Sequence, residues 1–126
     1  MSRVLVDTSV WIDHFRHRNS ALENLLQRDA VLTHAMVIGE IACCTPPTPR
    51  AQTLGDLGAL ARVQHASMGE TLAFIEREAM YGLGCGLVDM VLLASTLMTP
   101  AARLWTLDKR LAGLAARFGV EYAALP

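Results

Sequence analysis

The chain has 126 residues, 52% of them hydrophobic and 18% charged, and eleven Lys and Arg against twelve Asp and Glu give a net charge of −1. That composition excludes intrinsic disorder, and the charge balance excludes a strongly basic nucleic-acid binder. The length suits one domain burying its own core, and with only 6% aromatic residues that core falls to Leu, Val, Ala and Met.

Val4-Leu5-Val6 is a short apolar, β-branched run ending at Asp7-Thr8-Ser9, the pattern of a buried strand followed by helix-capping residues. Ser9 is expected to cap a first helix through Phe15, and Asn19-Ser20 restarts a helix to Gln27. Val31-Leu32-Thr33 reads as a second strand and Ala35 to Cys44 as a helix stopped by Pro46-Pro47-Thr48-Pro49. A helix over Ala51 to Ala61 is weakened by Gly55 and Gly58, and Arg62 to Ala66 offers a weak third strand. Glu70 to Tyr81 is expected to be helical, with Leu72, Ile75, Ala79 and Met80 inward. Gly82, Gly84 and Gly86 lead into a helix from Leu87 to Met98 that is apolar nearly all round, as expected for central packing against a sheet. Arg103 to Leu107 reads as a fourth strand, Lys109 to Phe118 as a helix closed by Gly119, and Val120 to Ala123 as a terminal edge strand.

This alternation predicts a single α/β domain over residues 1–126, a mostly parallel sheet of about four to five strands with helices on both faces. No stretch reads as a membrane span, because Asp89 splits the most apolar region, and Asp7 interrupts any signal-like opening. Cys43, Cys44 and Cys85 form no metal or disulfide pattern; the adjacent pair is expected to be buried and the compartment to be the reducing cytoplasm.

Four acids stand in suggestive places. Asp7 follows the first strand and Asp108 the fourth, at the sheet edge where open α/β folds bind ligands. Asp89 opens the apolar helix, and Glu40 falls about 60° from Val37, beside an apolar helix face. Each has an ordinary explanation: Asp7 and Asp108 as helix caps, Asp89 as a charge at a helix N-terminus, Glu40 as an ion with some other partner. One shared divalent cation explains all four together. It keeps crowded carboxylates ionised, and oxygen-only ligands suit Mg²⁺ or Mn²⁺ better than zinc. Setting the four aside leaves eight acidic against eleven basic residues.

The pieces Val4-Leu5-Val6-Asp7-Thr8-Ser9-Val10-Trp11-Ile12, Val37-Ile38-Gly39-Glu40-Ile41, Gly86-Leu87-Val88-Asp89-Met90-Val91-Leu92-Leu93-Ala94 and Leu104-Trp105-Thr106-Leu107-Asp108-Lys109-Arg110-Leu111 resemble, in this order, the PIN-domain ribonucleases, most closely the VapC-type toxins of prokaryotic toxin–antitoxin pairs. The resemblance implies a metal-dependent endoribonuclease whose catalytic acids are Asp7, Glu40, Asp89 and Asp108, with Asp7 and Asp89 as the principal ligands of Mg²⁺ or Mn²⁺. It further implies that Asp108 completes the site, that Glu40 orients a water or acts as base, and that Thr106, Thr8 and Ser9 hydrogen-bond within the site. Lys109, Arg110, Leu111 and Ala112 stand where some members carry another acid, which counts against a second metal. An RNA substrate, an antitoxin partner and a homodimer are implied in the same way.

Two other readings compete. A haloacid-dehalogenase-type phosphatase repeats the acid two residues after the first, where this chain has Ser9. A non-catalytic binding module on the same fold would not need all four acids. The basic residues His14, Arg16, His17 and Arg18 are equally explained as a solvated turn and are not assigned to the site.

Overall fold

Four short strands and seven helices alternate along the chain in a computed structural model that describes residues 2–124. They are β1 (Arg3–Val6), α1 (Thr8–His17), α2 (Ser20–Gln27), β2 (Val31–Thr33), α3 (Ala35–Ala42), α4 (Arg50–Gly58), β3 (Ala61–Arg62), α5 (Met68–Arg77), α6 (Leu87–Met98), β4 (Ala102–Trp105) and α7 (Lys109–Arg117). The strands pair in the order β3-β2-β1-β4, all parallel, with Leu5 opposite Leu32 on one side and Leu104 on the other.

Parallel strands need crossovers, and right-handed crossovers decide which face each helix covers. The steps β1 to β2 to β3 move one way along the sheet, which puts α1 to α4 on one face. The return from β3 to β4 runs the other way, so α5 and α6 cover the opposite face. The packing agrees: α3 lies against α1 and α4, and α5 lies against α6. The order reverses between β1 and β4, so the switch point lies at the carboxyl ends of these two strands.

Alternate layers of this stack meet in one core. Leu5, Val6, Leu22, Val37, Ile41, Leu92, Leu93, Leu104 and Leu111 are fully buried. Helix α6 is buried from Met90 to Thr96, as its continuous apolar sequence requires.

Several boundaries differ from the sequence reading, each for a local reason. Helix α1 begins at Thr8 with Asp7, not Ser9, at its N-cap. Helix α4 and strand β3 each sit a residue or more earlier than the periodicity indicates. Ser67 and Glu70 form a reciprocal capping box that starts α5 at Met68, before Glu70. Its inner face is Thr71 and Phe74 rather than Leu72, which is 52% exposed. The larger Phe74 wins the inward position and packs on Phe118, with ring centroids 5.5 Å apart. Met80 is buried as expected but lies beyond the helix, and Ala79 is exposed there in a left-handed turn. Cys43 and Cys44 are exposed rather than buried, because α3 has ended before the proline stretch. The terminal edge strand reduces to a single bridge between Leu104 and Glu121.

Candidate active site

The strand order brings Asp7 and the segment after β4 together across the switch point. Asp7 is only 7% exposed, and its carboxylate caps nothing although the residue is the N-cap of α1. Its Oδ2 instead accepts hydrogen bonds from the Ser9 hydroxyl (2.7 Å) and the Thr106 hydroxyl (2.8 Å). Ser9 Oγ also accepts the Leu107 amide at 3.0 Å, and Thr106 Oγ1 accepts the Asp108 amide at 3.1 Å. Two hydroxyls therefore tie the start of α1 to the loop after β4. Among the described residues no donor reaches Asp7 Oδ1.

Asp108 does cap its helix: Oδ1 accepts the amides of Arg110 (2.9 Å) and Leu111 (3.0 Å). Its ordinary explanation holds, and one oxygen is left over. Glu40 is exposed, not set into an apolar face, and its Oε1 accepts the Thr8 hydroxyl at 2.7 Å. Thr8 thus links the first turn of α1 to the third acid.

Asp89 sits in the first turn of α6, half-buried, and its Oδ2 takes only a long 3.4 Å bond from the Gly86 amide. Burial pushes its carboxyl above the usual range, opposed by the Gly86 amide and reinforced by the charges of Asp7, Asp108 and Glu40. Asp89 is therefore close enough to feel the charges of the other three acids. Among the described residues the two ion pairs, Arg18 with Glu23 and Arg77 with Glu78, involve none of them. Also among the described residues, no three Asp, Glu, His or Cys side chains stand close enough to ligate one ion without adjusting.

Two neighbours, Cys85 and Arg110, stand beside these acids although the sequence reading does not assign them to the site. Burial raises the Cys85 thiol, as do the charges of Asp89 and Asp108, against an opposing Arg110. Arg110 donates to the Gly84 carbonyl at 3.4 Å and lies across Gly84, whose φ of +85° suits glycine. The glycine-rich run before Asp89 was the available signal. Two residues of the basic turn at the end of α1 are engaged locally: Arg18 pairs with Glu23 at 3.0 Å, and His14 Nδ1 accepts the Asn19 amide.

A family model for the PIN domain matches residues 4–117. The chain belongs to the PIN-domain family. It is similar to Ribonuclease VapC32 of Mycobacterium tuberculosis, in both strain H37Rv and strain CDC 1551, at 39% identity over 120 residues, 95% of this chain and 96% of the relative. The parallel sheet with its acid-bearing carboxyl edge is thus a PIN domain. Among the described residues no helix is long and apolar enough to cross a membrane.

Proposed function

We propose that this PIN domain is a metal-dependent endoribonuclease, the toxin of a VapBC-type toxin–antitoxin pair, acting on RNA phosphodiester bonds in the cytoplasm. One observation supports the reading most: the charges of Asp7, Asp108 and Glu40 all act on Asp89, and no ion pair among the described residues neutralises any of the four, in a chain 39% identical to Ribonuclease VapC32.

The residues fit a divalent cation. Their donors are all carboxylate oxygens, which suit Mg²⁺ or Mn²⁺, and they repel one another when it is absent. Asp7 and Asp89 would hold the ion and Asp108 would complete the site through its free Oδ2. A bound Mg²⁺ or Mn²⁺ supplies positive charge that lowers the pKa of a water and offsets charge developing on the phosphodiester. Ser9 and Thr106 fix Asp7 Oδ2 and keep the carboxylate in one rotamer. Glu40, with Oε1 held by Thr8, orients the attacking water and accepts its proton on Oε2. The oxygen of that water bonds to phosphorus as the P–O3′ bond breaks, the leaving 3′-oxygen takes a proton from solvent to become a hydroxyl, and the phosphate stays on the 5′ side. Specificity comes from RNA shape and unpaired bases. An antitoxin and a second copy of the chain are the expected partners.

The test is cleavage of a mixed cellular RNA pool by purified protein with Mg²⁺, Mn²⁺ or a chelator, beside Asp89→Ala. Discrete cuts with 5′-phosphate ends, absent with chelator and in the variant, support the reading. Folded, antitoxin-free protein that cuts nothing with either metal leaves the binding-module reading in its place.

A further inference from the structure

The buried residue His34 takes no part in the chemistry above, yet it joins the two helices that carry Glu40 and Asp89. It is 1% exposed, follows β2 directly and is the N-cap of α3. Its Nδ1 accepts the Met36 amide at 2.9 Å, so the ring proton resides on Nε2, which donates to the Ser95 hydroxyl at 3.2 Å. Burial, together with the charges of His65 and Arg62, pushes the imidazole down to about 4 and keeps it neutral. His65 stacks on it at 4.2 Å between centroids.

Ser95 is fully buried in the middle of α6 and also accepts the Ala66 amide at 3.0 Å. One turn on, Thr99 Oγ1 donates to the Ser95 carbonyl and accepts the Gln64 amide. Helix α6 is therefore pinned to the head of α3 and to the segment after β3 by two buried hydrogen bonds at Ser95, with a more exposed bond at Thr99 beside them. Leaving any of these groups unpaired is costly, so the bonds specify one relative placement of the helices.

The positions along the two helices give this link its consequence. Glu40 lies six residues beyond His34 on α3, and Asp89 six residues before Ser95 on α6. Each acid stands about 9 Å along its helix from the link. A 5° swing of either helix about the link displaces its carboxylate by about 0.8 Å, and misplacements of about 1 Å are enough to cost on the order of a hundredfold in rate.

We propose that His34 and Ser95 are positioning residues, whose hydrogen bond sets α3 against α6 and thereby fixes Glu40 relative to Asp89. This rests on the nuclease reading for its effect on rate, though not for its effect on geometry. Ser95→Ala removes the link from α6. His34→Asn keeps an acceptor for the Met36 amide but does not reach Ser95.

The test compares both single variants and their double with wild type, all at a temperature where circular dichroism reports them folded. Leu25→Ala, a buried position in α2 away from the link, serves as a control for destabilisation alone. The expected result is a fall in kcat of about tenfold in each single variant, KM for RNA within about twofold, a double variant no worse than the singles, and wild-type kcat in the control. Geometry is read separately by pulsed electron paramagnetic resonance between spin labels on Cys43 and Leu87→Cys, with Cys44→Ser and Cys85→Ser. Ser95→Ala should broaden or shift that distance distribution. An unchanged distribution together with unchanged kcat in both variants would overturn the proposal, as would effects that multiply in the double. Wild type that cleaves no RNA removes the nuclease reading, and the distance measurement still decides the positioning role.

Discussion

The Thr106 hydroxyl is the most informative single group to remove. It donates to the carboxylate of Asp7 at 2.8 Å and accepts the Asp108 amide at 3.1 Å, and it is 8% exposed. Thr106→Val keeps the side-chain shape and deletes both bonds. A hydrogen bond to a charged group contributes about 1.5–3 kcal/mol, and the stranded amide adds about 1 kcal/mol. The extra buried methyl returns a little under 1 kcal/mol. The net loss is about 2–3 kcal/mol, which for 126 residues lowers Tm by roughly 8–12 °C. Thr106→Ser retains the hydroxyl and should lose only about 1 kcal/mol. Urea unfolding at pH 7.5 in chelator measures both, and RNA cleavage should fall at least tenfold in the Val variant alone. If Val costs under about 0.5 kcal/mol, or Ser costs as much as Val, the hydroxyl does not hold Asp7 in the way argued.

Three further outcomes follow from the same geometry. Because burial and three neighbouring carboxylates raise Asp89, its ionised form penalises the metal-free fold at pH 7.5. Asp89→Asn should therefore melt at or above wild type in chelator and below it in Mn²⁺; the chelator advantage should vanish at acid pH, where protonation does the same work. His34 is neutral in the fold down to about 4, whereas the unfolded chain takes up its proton near 6.5. Stability is complete above 6.5 and is lost as pH falls towards 4, by about 2 kcal/mol between pH 7.5 and 5. Denaturant titrations should show a flatter pH dependence in His34→Asn, with His65 and Arg62 unchanged. At Gly84, an added Cβ would lie 2.6 Å from the flexible tip of Arg110, so the side chain moves and the positive φ sets the cost. Gly84→Ala should lose about 1 kcal/mol, and adding Arg110→Ala should not restore it.

The outline of this PIN domain was legible in the sequence wherever the cause is local. The apolar run ending at Asp7, the continuous apolar stretch of α6 and the proline stop after α3 each carry their reason within a few residues. The Ser67 and Glu70 capping box is equally local, and it outweighs the Leu72 periodicity in setting where α5 starts. The non-local contacts were legible only through the family resemblance, which implied hydrogen bonds from Thr106, Thr8 and Ser9 without their partners. The clamp on Asp7 depends on Thr106, 99 residues away, which the pairing of β1 with β4 brings near. The bond from Thr8 to Glu40 depends on how α1 packs on α3. His34 escaped notice because histidine is an uncommon N-cap, and its role rests on Ser95, 61 residues on. Asp7, Asp89 and Asp108 were legible from their places at element ends and Glu40 from its place beside an apolar helix face; the hydroxyls that hold Asp7 and Glu40 belong to the tertiary fold.

The central claim is that Asp7 and Asp89, completed by Asp108, hold one divalent cation for RNA hydrolysis with Glu40 as the base. Titrating Mn²⁺ into metal-free wild type, Asp7→Asn and Asp89→Asn by calorimetry, with cleavage of one RNA measured on the same samples, tests it most directly. The account predicts one ion per chain in wild type, at least tenfold weaker binding in both variants, and loss of cleavage that parallels loss of metal. Unchanged Mn²⁺ affinity in both variants, or RNA cleavage that survives chelator, would contradict it.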